Sequence, residues 1–166
     1  NFKFQISDNY FAHISNNKKP EKLNEHIQLV LKYFFSIIEA HQLEYLIDNA
    51  IKSIKINNEN YISEKTANII KQIFFEAIFF HDSGKINENF QCEKMKNKFF
   101  KKENNNLGTE HSTLSAFLFW HHSIEKLNNI NNSDNFICSY FLFLMCLSIN
   151  RHHSPYLSNF KEEKKF

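Results

Sequence analysis

Apolar residues recur at helical spacing in four stretches of this chain, separated by runs rich in asparagine and lysine. The first stretch predicts a helix from about Leu23 through Ile38, with Val30, Phe34, Ile37 and Ile38 on its apolar stripe. A continuation after His41 toward Ile54 is left open. Counting back from Val30 in helical steps puts His26 on the same stripe. After the break Asn57-Asn58-Glu59-Asn60 a second helix is expected, with Ser63 or Thr66 as its cap and Gly84 just beyond its end. Ile70, Phe74 and Ala77 share a face with His81, which therefore points at the core. A lysine-rich connection, Glu93 to Asn106, leads to Gly108 and a third helix that starts near Thr109 or Glu110. Its apolar side carries Leu114, Phe117, Leu118 and Ile124. Asn128 to Asn135 reads as a linker, and a fourth helix follows, whose stripe of Ile137, Phe141 and Leu144 runs on toward His152.

Two glycines and two prolines in 166 residues leave little material for the tight turns of a β-sandwich, so the expected class is all-α, a helical bundle in one domain spanning 1–166. The most apolar stretch, Phe136 to Ile149, is too short to span a bilayer and reads as a buried helix, with no membrane association. A formal charge of +2 does not mark the whole molecule as a nucleic-acid binder. Three cysteines in no metal-finger spacing point to a reducing compartment, and the cytoplasm is expected. The chain opens on Asn1 without an initiator Met, which suggests a fragment.

The segment His81-Asp82-Ser83-Gly84-Lys85 adds chemistry to this frame. Neighbouring helical residues diverge by roughly 100°, so His81 and Asp82 can aim at one point only from the last turn. Unpaired carbonyls there favour a cation. A carboxylate has two oxygens and can bridge two ions, whereas one imidazole nitrogen serves one, so Asp82 is the candidate bridge. His26, His81, His111, His152 and His153 each lie on or at the end of a helix. A lone imidazole on an apolar face is usually a hydrogen-bonded core residue, but burying five without a shared partner would strand several polar nitrogens. The set therefore points to a metal site, and its imidazole-rich character favours iron, manganese, cobalt, nickel or zinc over magnesium.

His121 and His122 are read differently. His122 follows His111 by eleven positions on nearly the same helical face. At about 1.5 Å per residue they stand roughly 16 Å apart, too far to share ions separated by about 3.5–4 Å. With Trp120 they are assigned to the surface, and His41 is also taken as structural. Lys94, Lys96, Lys98, Lys101 and Lys102, interleaved with Phe99 and Phe100, have the makings of a strand-tracking patch, although a solvated connector is the favoured reading.

The order Ala12-His13-Ile14, Glu25-His26-Ile27, His81-Asp82-Ser83-Gly84-Lys85-Ile86-Asn87 with Phe90-Gln91, Glu110-His111-Ser112 and Arg151-His152-His153 resembles the HD nuclease domain of the type I CRISPR-associated helicase-nuclease. The HD-x-G-K core marks the wider superfamily of HD phosphohydrolases; the Ala-His opening and the tandem histidines narrow it. The resemblance runs from Ala12 to His153. It implies an all-helical HD bundle with two divalent transition-metal ions at its centre and endonuclease activity on single-stranded DNA in antiviral defence. His26, His81 and Asp82 would hold one ion, and Asp82, His111, His152 and His153 the other. Asp82 is the candidate catalytic carboxylate, and Lys85 would neutralise charge on the phosphate. In the family a further aspartate, well downstream of the tandem histidines, completes the ligand set of the first ion. This chain offers only Glu162 and Glu163 after His153, in a tail read as solvated, so the 1–166 domain is expected to lack the C-terminal helix or helices that carry that residue. A helicase domain, in the same or another chain, and an RNA-guided surveillance complex are the implied partners. Two alternatives stay open: an HD phosphohydrolase acting on nucleotides or cyclic dinucleotides, and a catalytically degenerate HD docking module.

Overall fold

The computed structural model describes residues 6–55, 60–102, 108–130 and 132–153. A short antiparallel ribbon, β1 (Phe11–His13) and β2 (Glu21–Lys22), leads directly into α1 (Leu23–Ala40). There follow α2 (Leu43–Lys52), α3 (Glu64–Phe80), a 3₁₀ segment Ser83–Ile86, α4 (Glu88–Glu93), α5 (His111–Ile124), a second 3₁₀ segment Glu125–Asn129, and α6 (Asn132–Arg151). The class is all-α. No helix among the described residues is long and apolar enough to cross a membrane.

The sequence starts α3 in a recognisable way: Ser63 is extended (φ −67°, ψ 157°) and its hydroxyl accepts the Thr66 N–H at 3.2 Å, satisfying one of the free donors of the first turn. Ile70, Ile73, Ala77 and Phe80 then repeat at helical spacing and are all buried. This stripe makes α3 the central helix, with α1, α2, α5 and α6 packed against it. Ile70, Ile73, Phe119 and Leu142, at 0% exposure, each contribute on the order of 1.5–3 kcal/mol by leaving water. Within this core the buried Glu76 carboxylate accepts bonds from Gln72, Ser123 and Lys126, tying α3 to the end of α5.

Several boundaries and faces differ from the sequence reading. The pattern beyond His41 is a separate helix, because Gln42 adopts a left-handed conformation (φ 52°) and turns the chain before α2. On α1, Ile38 is buried while Ile37 is exposed. On α5, Phe117 is exposed, and the inward face is Ser115, Phe119 and Ser123; Phe119 fills the core, while the small Ser115 permits close approach of the Gly84 backbone. The inward face of α6 is centred on Cys138, Leu142 and Ile149, one residue on from the stripe read through Ile137 and Phe141. Residues 132–135, read as part of a linker, belong to the first turn of α6. There Asp134 is buried and accepts hydrogen bonds from Ser63 and Thr66, a tertiary contact that outweighs the poor helix propensity of the asparagine run. Most of the break at 57–60 and residues 103–106 of the lysine-rich connection lie outside the described residues.

The described part of that connection is packed rather than loose. Asn97 is buried and donates to the Asn9 carbonyl at 2.7 Å and to Gln91 at 2.9 Å, while Phe100 stacks on Tyr10 with ring centroids 4.8 Å apart. Gln91, fully buried, clasps β1 as a third strand would. Its Oε1 accepts the Phe11 N–H at 2.9 Å, and its Nε2 donates to the carbonyls of Phe11 and Lys85. The ribbon is thereby held onto the 3₁₀ segment beside the candidate site.

Candidate metal centre

α3 runs to Phe80, and the backbone leaves the helical region at Asp82 (φ −113°, ψ 4°) before entering the 3₁₀ segment. This break lets two consecutive side chains turn toward one point, which an unbroken helix forbids. His81 Nε2 lies 3.4 Å from Asp82 Oδ2, and α1 brings His26 Nε2 to 3.1 Å from the same oxygen. The first residue of α5, His111, places its Nε2 3.3 Å from Oδ1. From the end of α6 come His152 at 3.2 Å and His153 at 3.9 Å from that same Oδ1. Five imidazoles from four helices thus divide two and three between the two oxygens of one buried carboxylate.

Gly84 is what permits α5 to deliver His111. A Cβ there would fall 1.9 Å from the His111 carbonyl oxygen and 2.5 Å from the Ser115 nitrogen, so the 3₁₀ segment and α5 cross at backbone contact. The Gly84 N–H donates to the Ser115 hydroxyl at 2.7 Å in the crossing. Its role differs from the helix cap expected of it: no described glycine has a positive φ, and closeness, not handedness, demands the residue.

Ring-nitrogen partners settle the tautomers by elimination. His81 Nδ1 lies 2.8 Å from the Ile78 carbonyl and His152 Nδ1 lies 2.6 Å from the Ile149 carbonyl. A carbonyl oxygen only accepts, so each Nδ1 carries a proton, and each Nε2 faces Asp82 as a lone pair when the ring is neutral and as a donor when it is protonated. Lone pairs facing a carboxylate repel unless the rings are protonated or a cation lies between. His111 Nε2 and His153 Nε2 approach to 3.0 Å, within hydrogen-bond distance when one of the two nitrogens carries a proton. Imidazoles anchored through Nδ1, with Nε2 left to face a shared carboxylate, could hold a transition-metal ion. The donors fit such ions in two groups, Asp82 with His111, His152 and His153, and Asp82 with His26 and His81.

The electrostatics follow from the crowding. Burial alone would raise the Asp82 pKa, but hydrogen bonds from His111, His152 and His26 and the Lys85 charge hold it far below the usual carboxylate range. His26 is raised by its bond to Asp82, and His81 is lowered, chiefly by burial. His152 is raised: burial opposes this, and its bonds to Asp82 and Ile149 prevail. His153, with 56% of its side chain exposed, is lowered by partial burial and by its neighbours His152 and His111.

The structure brings together His26, His81, Asp82, His111, His152 and His153. Lys85 is here too, but not as a solvent-facing lysine: it is 2% exposed, and its ammonium donates to Asp82 Oδ2 at 2.9 Å and to the Ala12 carbonyl at 3.1 Å. Both bonds are internal, so Lys85 holds Asp82 in place and anionic; its expected contact with phosphate is not part of this arrangement. His122 lies elsewhere, exposed and 3.6 Å from Glu76, and His121 sits beside Phe117, where the rings are 6.3 Å apart. Trp120 and His41 are exposed. Glu162 and Glu163 fall outside the described residues. Two residues of the site were missed in the sequence, His13 and Glu21, which with His26 form a third His/Glu group next to the first two. Their two- and three-residue strands are too short to show periodicity, although His13 stands in the Ala-His opening of the resemblance. Family models, curated proteins and solved structures were all compared with the chain, and none matches it.

Proposed function

We propose that this chain is a metal-dependent phosphodiesterase that cuts single-stranded DNA, as the HD nuclease domain it resembles does in CRISPR interference. The observation that carries this reading is the sharing of Asp82: Oδ2 serves His26 and His81, and Oδ1 serves His111, His152 and His153. Paired divalent ions, when bound, supply Lewis-acid charge stabilisation and lower the pKa of water, so no protein nucleophile is required. The chain's own residues do the holding. Asp82 is common to both ligand groups, the carbonyls of Ile78 and Ile149 orient two of the imidazoles, and Lys85 offsets the carboxylate charge from the buried side. An open groove of about 790 Å³ adjoins His111 and His153, with Lys94, Arg151 and Glu110 among its walls. The groove supports a reading in which an anionic substrate approaches from the Oδ1 side. In this reading a helicase domain and an RNA-guided complex present the displaced strand.

Purified protein loaded in turn with manganese, iron, cobalt, nickel or zinc is incubated with single-stranded DNA, duplex DNA, nucleotides and cyclic dinucleotides. Single-stranded DNA should be cleaved. Asp82→Ala should abolish cleavage and lower the occupancy of both ion positions, while His122→Ala should leave both near wild type. Hydrolysis confined to nucleotides or cyclic dinucleotides would reassign the substrate class. Stoichiometric metal without hydrolysis of any phosphate ester would make the chain a docking module.

A further inference from the structure

The imidazoles around Asp82 are not all anchored alike. His81 and His152 stand just past helix ends, and each donates Nδ1–H to the carbonyl three residues back. His26 lies inside the first turns of α1, where carbonyls are taken up by the helix itself. Its Nδ1 turns instead to the Glu21 carboxylate, 3.2 Å from Oε1, while its Nε2 lies 3.1 Å from Asp82 Oδ2. The ribbon pairs His13 with Glu21 across the strands, and the His13 ring packs edge-on against His26 with centroids 4.9 Å apart.

We infer that Glu21 is a positioning residue for the ion held by His26, His81 and Asp82, and that the β1–β2 ribbon serves as the clamp that presents it. The assignment rests on the metal-dependent reading above. As an acceptor, Glu21 fixes the proton on Nδ1, aims the Nε2 lone pair at the ion and raises its basicity; loss of such an outer carboxylate typically weakens metal binding about 10–100-fold. Glu21 is not needed to hold the ribbon, which is fastened by Gln91 on Phe11 and by Lys85 on the Ala12 carbonyl. Its effect on the ion is therefore separable from folding. The rival arrangement, a third ion seated between His13, Glu21 and His26, would require His26 to give up both ring protons.

The test is a zinc titration of the metal-free protein by calorimetry, with cadmium NMR to resolve the positions. Wild type should bind two ions. Glu21→Gln should weaken one by about 10–100-fold and shift one cadmium resonance, leaving the other as in wild type, and Glu21→Asp should restore part of the loss. In the zinc-loaded protein the His26 Nδ1 proton should exchange faster in Glu21→Gln. Two ions bound with unchanged affinity in Glu21→Gln and Glu21→Ala, at matching circular dichroism, would overturn this assignment alone. Three ions per chain would overturn it in favour of a ligand role. No ion bound by wild type would overturn it together with the metal-dependent reading.

Discussion

Asp82 and Lys85 form a pair with under 5% of either side chain exposed, at the one carboxylate that five imidazoles also face. A buried pair of this kind is sensitive to removal of either member, because the survivor keeps its desolvation cost. Lys85→Met should therefore destabilise the metal-free protein by about 3–5 kcal/mol in urea unfolding. Metal-loaded protein should lose less, since bound cations also compensate Asp82; equal losses in both forms would contradict the shared role. At the residue scale the candidate pair His81 and Asp82 was legible from local sequence, because a histidine and an aspartate side by side can aim at one point only where a helix ends. The engagement of Lys85 was not. Whether a lysine one residue past a glycine faces solvent or the interior depends on what covers it, and here the cover is Ala12, 73 residues away.

Among the elements, the crossing of the 3₁₀ segment over α5 does most to shape the site. Gly84→Ala would press a methyl against the His111 carbonyl and the Ser115 nitrogen, both of them backbone atoms that cannot swing aside. Overpacking typically costs about 1–3 kcal/mol and occasionally more, and backbone contact at 1.9 Å puts this substitution at the upper end. Because relief requires α5 to move away, Gly84→Ala should also lower occupancy of the ion position that uses His111, read by thermal unfolding and metal titration on one preparation. The helices themselves were largely visible as periodic stripes; α3 starts at its expected cap, Ser63, and α5 begins at His111, next to the expected start near Thr109 or Glu110. Their inward faces were read less well. Ser115 points inward because α5 meets the Gly84 backbone at that position, a demand that hydrophobic periodicity does not encode.

Across the whole molecule, the candidate ligands span residues 26 to 153 and join α1, α3, α5 and α6, so in the metal-dependent reading metal binding and global stability would be linked. An ion that binds only the folded chain, present at about 1,000 times its Kd, adds roughly 4 kcal/mol, and chelation should lower the Tm accordingly. Neutral imidazole is the ligating form, so protons and ions compete for the same nitrogens and the Tm gain from metal should shrink as pH falls; His26 and His152, whose pKa values are raised by their bonds to Asp82, take up protons at higher pH than His81 and His153, whose values are lowered. A metal-induced Tm gain that stays constant as pH falls, at a metal concentration near the Kd, would argue against imidazole ligation. Helical class and the ligand residue types follow from the chain itself, since apolar spacing at 3.6 residues and a scarcity of glycine and proline act locally. Convergence of those ligands on the two oxygens of Asp82, the crossing at Gly84 and the seating of Glu21 behind His26 were decided only by tertiary packing. Each depends on contacts between segments remote along the chain, and no local pattern carries such information.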